Sequence, residues 1–130
     1  MKRSSTKLIW TPLVSLGPIQ FNCPFYINSF ASFTLQDDTD PDMDWKTYWI
    51  LELKTNIFVK DGIVTSCETW LSCIYNETDL IGMKSSDVYE LFSDNLTWDD
   101  SHNNYFQDDM DITIWIEKGA VESVTVGGKV

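Results

Sequence analysis

The segment Ile57-Phe-Val-Lys-Asp-Gly-Ile-Val-Thr-Ser-Cys67 contains two runs of β-branched and aromatic residues, separated by an Asp-Gly pair. Because Asp-Gly readily adopts the positive φ angles of a tight turn, this pattern predicts a β-hairpin. A later segment, Ile114-Trp-Ile-Glu-Lys-Gly-Ala-Val-Glu-Ser-Val124, aligns with the first without gaps and is identical to it at four of eleven positions. Any two hairpins with a glycine turn look alike, and we favour this explanation over a repeat.

The rest of the chain is also rich in strand patterns. Residues 45–53 predict a strand with one apolar face, formed by Trp45, Thr47, Trp49, Leu51 and Leu53, and one mixed face. Residues 28–35 fit a strand and a short helix equally well. The remaining predictions are strands over 19–23, 70–75, 111–117 and 120–126, a helix capped by Ser85 or Ser86, and loops over 36–44 and 98–109.

These elements predict an α+β fold, an antiparallel β-sheet with one or two short helices packed on one face. The length of 130 residues predicts a single domain over residues 1–130, with a core large enough to fold without a metal or a disulfide. We expect residues 1–7 to form a mobile N-terminus.

Charge is distributed unevenly along the chain. The formal net charge is −11, and no Asp or Glu precedes Asp37. From residue 8 onward six Lys face twenty acidic residues, which gives this part of the chain a charge of 6 − 20 = −14. A protein with such a field repels nucleic acid and attracts basic surfaces. The sequence therefore predicts a protein that binds a basic partner and does not contact nucleic acid directly.

Two acidic regions contain tryptophans, which often anchor protein interfaces. The candidate partner-binding residues are Asp37, Asp38, Asp40, Asp42, Asp44 and Trp45 in the first region, and Trp98, Asp99, Asp100, Asp108, Asp109 and Asp111 in the second. We expect the carboxylates to pair with Lys and Arg of the partner, and a tryptophan to fill a pocket on it.

The chain lacks a set of groups suited to catalysis, and we expect no enzyme and no cofactor. His102 is the single histidine and lies among Ser, Asn and Asp, as expected of a solvated surface residue. The spacing Asp38-x-Asp40-x-Asp42-x-Asp44 resembles a calcium loop, but Pro41 lies in its middle and Met43 replaces the required glycine. We therefore predict no metal site.

Three features predict a cytoplasmic protein. No apolar signal-peptide core follows the basic N-terminus, and no stretch is long enough to span a bilayer. Cys23, Cys67 and Cys73 are odd in number, which favours free, mostly buried thiols over a disulfide framework.

The segment Leu80-Ile-Gly-Met-Lys-Ser-Ser-Asp-Val-Tyr-Glu-Leu-Phe92, the acidic stretch after it and the closing hairpin Ile112–Val124 resemble a pattern of small bacterial immunity proteins. In these proteins an Ile-Gly-Met turn leads into a short helix, and two strands end the chain. The resemblance covers residues 80–124. It implies a protein that neutralises the toxin domain of a contact-dependent inhibition or related polymorphic toxin system.

Our first hypothesis is therefore an immunity protein that binds a basic toxin domain, most plausibly a nuclease. The alternative is a nucleic-acid mimic that inhibits a host restriction or defence enzyme, whose charges should be spaced like phosphates along an extended surface. A structural or secretion-chaperone subunit is a third, weaker hypothesis.

Overall fold

The computed structural model describes residues 6–129. The prediction of an α+β fold is confirmed: the chain is mostly antiparallel β-sheet with one short α-helix and, in the described residues, one 3₁₀ helix. The helices are the 3₁₀ helix Ile27–Phe30 and α1 (Ser85–Leu91). The strands are β1 (Trp10–Thr11), β2 (Ser15–Leu16), β3 (Ile19–Gln20), β4 (Leu35–Asp37), β5 (Lys46–Ile50), β6 (Thr55–Lys60), β7 (Ile63–Thr69), β8 (Ile74–Tyr75), β9 (Thr78–Asp79), β10 (Thr97–Asp99), β11 (Asn104–Gln107), β12 (Ile112–Glu117) and β13 (Ala120–Gly127).

Eight strands form one antiparallel sheet in the order β10-β11-β12-β13-β7-β6-β5-β4. Both predicted hairpins are confirmed, β6–β7 and β12–β13. Their turns have positive φ angles at both central residues, 53° and 78° at Asp61 and Gly62, and 53° and 80° at Lys118 and Gly119. The local turn chemistry therefore sets the hairpin connections that build the centre of the sheet.

One face of this sheet is buried because strand residues alternate between its two sides. Ile50, Ile57, Ile114 and Val124 are fully buried on that face. It is covered by the N-terminal segment and by residues around α1, including Leu8, Trp10, Leu16, Ile19, Leu80 and Val88. We call the opposite side, which carries half-buried residues such as Trp49 and Phe58, the outer face.

The sheet consists of two similar halves, β4–β7 and β10–β13. Ile57 pairs with Cys67, and Ile114 pairs with Val124, which gives an offset of 57 residues for both partners. The next strands keep this offset, since Tyr48 pairs with Ile57 as Tyr105 pairs with Ile114. We call the two halves, with the segments that precede them, the first and second repeat.

Irregular features of the two repeats also coincide. The register shifts after Phe58 in β6 and after the equivalent Trp115 in β12. Each shift is a β-bulge that adds one residue to the partner strand, Thr65 in β7 and Glu122 in β13. Lys54 and Asp111, at φ 46° and 52°, also occupy equivalent positions before β6 and β12. Such departures from regular pairing are specific to a fold, so their coincidence indicates a true structural repeat.

The segments that precede the four-stranded halves pair in the same way. Asn22 N donates to Val64 O at 2.7 Å, and Val64 N donates to Cys23 O at 2.9 Å. In the second repeat Gly82 N donates to Val121 O at 2.9 Å, and Val121 N donates to Met83 O at 2.8 Å. The repeat therefore extends beyond the hairpins, and our explanation of their likeness as a generic hairpin pattern is wrong.

The repeats meet in a symmetric pairing of β7 with β13. Glu68 pairs with Thr125 at its centre. On either side Thr69 pairs with Val124 and Cys67 pairs with Val126. By the 57-residue offset, Cys67 is equivalent to Val124 and Thr69 to Val126. Exchanging the two strands therefore leaves the pairing unchanged. A local two-fold axis thus passes through the middle of the eight-stranded sheet.

Several predicted boundaries are corrected. The strand predicted over 45–53 covers only Lys46–Ile50, because the chain turns at Leu51–Lys54. Its buried residues, Tyr48 and Ile50, belong to the face that we described as mixed. The face that we predicted to be apolar belongs instead to the outer face of the sheet. There the rings of Trp49 and Trp70 pack edge to face, with their centroids 5.8 Å apart.

The loop predicted over 98–109 is a hairpin, since Trp98 in β10 pairs with Tyr105 in β11. The loop predicted over 36–44 begins later, because Gln36 and Asp37 belong to β4. Of the strand predicted over 70–75 only β8 is regular, since Ser72 and Cys73 bond instead to Leu8 and Asp79. The strand predicted over 19–23 covers only β3.

The predicted short helices are partly confirmed. Of the two alternatives for residues 28–35, helix is found at Ile27–Phe30. Helix α1 begins at Ser85, but its N-cap is Lys84, which makes no capping hydrogen bond, so capping by Ser85 or Ser86 is wrong. The mobility expected of residues 1–7 concerns mainly residues 1–5, which lie outside the described residues. All three cysteines are free, and Cys67 and Cys73 are buried, as predicted.

Candidate functional site: the acidic loop and the adjoining sheet face

The first acidic region lies at one edge of the sheet. Strand β4 is the edge strand, and residues 38–45 connect it to β5. We call residues 37–45 the acidic loop. All of its aspartates are exposed, namely Asp37, Asp38, Asp40, Asp42 and Asp44, and Trp45 is 39% exposed. The structure therefore brings the whole first candidate set together on one accessible surface.

Hydrogen bonds within the acidic loop give it a defined conformation. Asp37 Oδ1 accepts from Thr39 N at 3.0 Å, and Asp40 Oδ1 accepts from Asp42 N at 2.9 Å. Thr39 Oγ1 accepts from Thr47 N at 3.1 Å, which ties the loop to β5. The bonds from Thr39 side chain and backbone lower the pKa of Asp37. Short local bonds of this kind are how aspartates stabilise turns without a repeating structure.

The loop retains most of its negative charge. Lys60 Nζ lies 3.3 Å from Asp44 Oδ2, and both side chains are more than half exposed. An exposed pair of this kind contributes only about 0–1 kcal/mol. Among residues 6–129 no cationic side chain lies within ion-pair distance of the other four loop carboxylates. The loop therefore presents a strong local negative potential to a partner.

The second acidic region does not form one surface. Trp98 and Asp99 belong to β10 and Asp100 to the following turn, whereas Asp108 and Asp109 lie beyond the other end of β11. At about 3.4 Å per residue the two groups are about 14 Å apart along that strand. The structure thus divides the second candidate set.

Three aspartates of the second region have local structural partners. Asp100 Oδ1 accepts from Trp98 Nε1 at 3.4 Å. Asp99 Oδ2 lies 2.9 Å from Nδ1 of His102, and this hydrogen bond is the main cause that lowers the pKa of Asp99. His102 itself is exposed, as predicted. Asp111 Oδ2 accepts from Lys129 N at 3.1 Å, and Asp111 O accepts from Gly127 N. Asp111 therefore holds residues 127–129 and is a weak candidate for binding a partner.

The two acidic regions lie at opposite edges of the sheet, which end in β4 and β10. With strands about 4.8 Å apart, the edges are separated by about 30 Å along the sheet. Their tryptophans also differ in orientation. The ring centroids of Trp98 and Tyr105 lie 4.9 Å apart, and Tyr105 contacts Tyr89 of α1, so Trp98 lies on the helix side of the sheet. Trp45 lies on the outer face beside Phe58. One compact interface therefore uses one region or the other.

The outer face beside the acidic loop contains a cavity of about 320 Å³. It is lined by Trp45, Phe58, Lys60, Thr65 and Ser66. Of these residues only Trp45 belongs to the predicted site. Because Phe58 lies between Ile57 and Val59 in a run of three apolar residues, the pattern alone does not indicate that Phe58 points away from the core.

The middle of the outer face combines aromatic and small polar side chains. Ser123 Oγ donates to Glu68 Oε2 at 2.9 Å, and Trp115 Nε1 donates to Thr125 Oγ1 at 3.0 Å. Burial raises the pKa of Glu68, against the opposing effect of the Ser123 bond. The side-chain oxygen of Asn56 is buried and has no hydrogen-bond partner within residues 6–129.

The described part of the chain offers no evident metal centre, because no three Asp, Glu, His or Cys side chains within it converge to hold an ion. Burial raises the pKa of the Cys67 and Cys73 thiols, which makes them poor nucleophiles. No helix within residues 6–129 is long and apolar enough to cross a membrane.

Comparison with known proteins gives no match among protein-family models, curated proteins or solved structures.

Proposed function

We propose that this protein binds a basic protein through the acidic loop, and that it serves as a cytoplasmic immunity protein that neutralises a nuclease toxin domain. One observation carries the proposal: five exposed carboxylates share one ordered loop, and only Asp44 has an ion-pair partner among residues 6–129. Toxic nucleases need positive surfaces to hold phosphates, and an acidic partner associates quickly with such a surface.

The arrangement of charge favours this proposal over a nucleic-acid mimic. A mimic should space its charges along an extended surface, as phosphates are spaced. Here the acidic loop is compact, and the second region lies at the opposite edge of the sheet and is itself divided. The proposal therefore assigns binding to the first candidate set.

The test begins with capture of the tagged protein from its native host and identification of the bound protein by mass spectrometry. The partner is then purified, and its affinity is measured for Asp38→Asn/Asp40→Asn/Asp42→Asn and for the matched triple variant Asp100→Asn/Asp108→Asn/Asp109→Asn. We expect the first variant to lose at least tenfold in affinity, about 1.4 kcal/mol, and to lose protection of cells that express the partner.

The second variant removes the same number of charges and should bind nearly normally. If both variants keep full affinity and full protection, the acidic surface serves only solubility and the proposal fails. If the second variant alone loses affinity, the interface lies at the β10 edge instead.

A further inference from the structure

The cavity between Trp45 and Phe58 lies directly beside the acidic loop. We propose that it receives one apolar side chain of the basic partner, while the loop carboxylates bind lysines or arginines that flank this side chain. This inference rests on the proposed function and deepens it, because it names the anchor of the same interface. It also changes the role expected of Trp45. From the sequence we expected a tryptophan to fill a pocket on the partner, whereas here Trp45 lines a pocket that the partner fills.

Two aromatic rings form the walls of the cavity. Phe58 points to the outer face because its neighbours Ile57 and Val59 are buried on the opposite side. Trp45 ends the acidic loop and remains 39% exposed. Tryptophan is enriched among interface hot spots, which lie in well-packed pockets and tend to pair with hot spots on the partner.

The chemistry of the remaining walls favours an uncharged occupant. Lys60 lines the cavity, and its ammonium lies 3.3 Å from Asp44. A lysine or arginine entering the cavity would therefore meet a like charge. The volume of about 320 Å³ is at the lower end of the range for small-molecule sites, so the cavity has room for an apolar side chain. The positive charges of the partner are instead complementary to the aspartates beyond Trp45.

The second repeat lacks two features of this site, the side chains of Trp45, Lys60 and Thr65 that line the cavity and the long acidic connection beside it. The positions equivalent to Trp45, Lys60 and Thr65 carry His102, Glu117 and Glu122. The connection between β10 and β11 is also four residues shorter than the connection between β4 and β5, because Asp38 corresponds to Asp99 and Lys46 to Asn103. The site is thus an addition to one copy of a repeated framework, and the other copy supplies matched control positions.

The test uses the full chain and two synthetic peptides, each with three lysines on either side of a central leucine or a central alanine. Backbone amide and indole signals are followed by nuclear magnetic resonance during titration. We expect the leucine peptide to shift the signals of the acidic loop, Phe58, Thr65, Ser66 and the indole of Trp45. The alanine peptide should shift only loop signals and bind about tenfold more weakly, because it buries less apolar surface.

Two variants examine the cavity itself. Thr65→Tyr fills its mouth, and Trp45→Ala removes one wall; both residues are exposed, so the fold should tolerate the changes. Each should reduce binding of the leucine peptide to that of the alanine peptide. Their matched controls, Glu122→Tyr at the equivalent bulge and Trp98→Ala at the opposite edge, should retain the difference between the two peptides.

The outcomes separate this inference from the proposed function. Equal affinity for the two peptides, with shifts confined to the loop, overturns the cavity as an anchor site and leaves the acidic loop as the binding surface. Full preference for leucine in both Thr65→Tyr and Trp45→Ala also overturns it. The absence of loop shifts with either peptide contradicts both proposals.

Discussion

At the scale of single residues, the two hairpin turns differ in how well their first residue suits its conformation. Asp61 and Lys118 have the same φ of 53°. Aspartate and asparagine tolerate this left-handed region because their short polar side chains bond locally, whereas lysine has no such local bond to offset the steric cost. The repeat thus contains one favourable and one strained version of the same turn.

Replacing Lys118 with Asn should therefore stabilise the protein by about 0.5–1 kcal/mol. Asp61→Asn is the matched control and should change the free energy of unfolding little. Urea denaturation of the wild type and both variants measures the difference. A loss of stability in Lys118→Asn would show that the lysine makes a contact that outweighs its backbone strain.

Glu68 is the residue whose environment was least evident from sequence. Its strand neighbours Cys67 and Thr69 are buried, so Glu68 points to the outer face of the sheet. The symmetric pairing of β7 with β13 nevertheless leaves Glu68 half-buried, at the local two-fold axis. Burial raises its pKa, so the folded protein holds this proton more tightly than the unfolded chain does. The resulting contribution to stability is present below the usual Glu pKa of about 4.3 and is lost as pH rises through the folded pKa.

Glu68→Gln should consequently raise the melting temperature at pH 7 and have little effect at pH 4. Glutamine can still accept the hydrogen bond from Ser123, so the change removes mainly the charge. Glu117→Gln, at an exposed position, controls for net charge. Equal shifts of the two variants at pH 7 would rule out the burial of Glu68 as the cause.

At the scale of elements, hairpins with a clear turn signal were predictable, whereas paired strands with polar sequences were not. Asp61-Gly62 and Lys118-Gly119 lie between segments rich in apolar residues, and the glycine of each pair made both hairpins predictable. The hairpin β10–β11 has Asp, Ser, His and Asn around its turn, and its pairing depends on the neighbouring strand β12. The strand predicted over 70–75 was wrong in its first part because Ser72 and Cys73 bond to the side chain of Asp79, and Leu71 N bonds to Thr69 Oγ1.

The acidic loop offers a test at this same scale. Deleting residues 40–43 gives the connection the length that it has in the second repeat. Because β4 and β5 keep their pairing residues, we expect the melting temperature to change by only a few degrees while partner affinity falls by at least tenfold. The full-length variant Asp40→Asn/Asp42→Asn is the control that separates loss of charge from loss of length. A large fall in melting temperature on deletion would instead assign the extra residues a role in folding.

At the scale of the whole molecule, the sequence identified the class of fold and the acidic surface but not how the surface is arranged. The order of residues along the chain shows that aspartates cluster. Only the order of strands within the sheet shows that the clusters lie at opposite edges. That order depends on the pairing of β7 with β13, two strands distant in sequence. Our dismissal of the repeat also removed the one clue to this symmetry.

The net charge of −11 leads to a prediction at this scale. Exposed charges are screened over about 8 Å at physiological ionic strength. The rate of association with the purified partner should therefore fall steeply from low to high salt, and the dissociation rate should change much less. Stopped-flow or surface-binding kinetics over a salt series provide the measurement, and an association rate independent of salt would contradict electrostatic steering.

The symmetric pairing between the repeats also has a consequence for refolding. Within each repeat, β4–β7 and β10–β13 are meanders joined by short connections, so their contacts are local and should form early. Only β7 with β13 joins the two meanders within the sheet. Two chains refolding at high concentration can make this same pairing between them, with identical register, and exchange their second halves. Concentrated refolding should accordingly yield a domain-swapped dimer, whereas dilute refolding yields the unswapped protein.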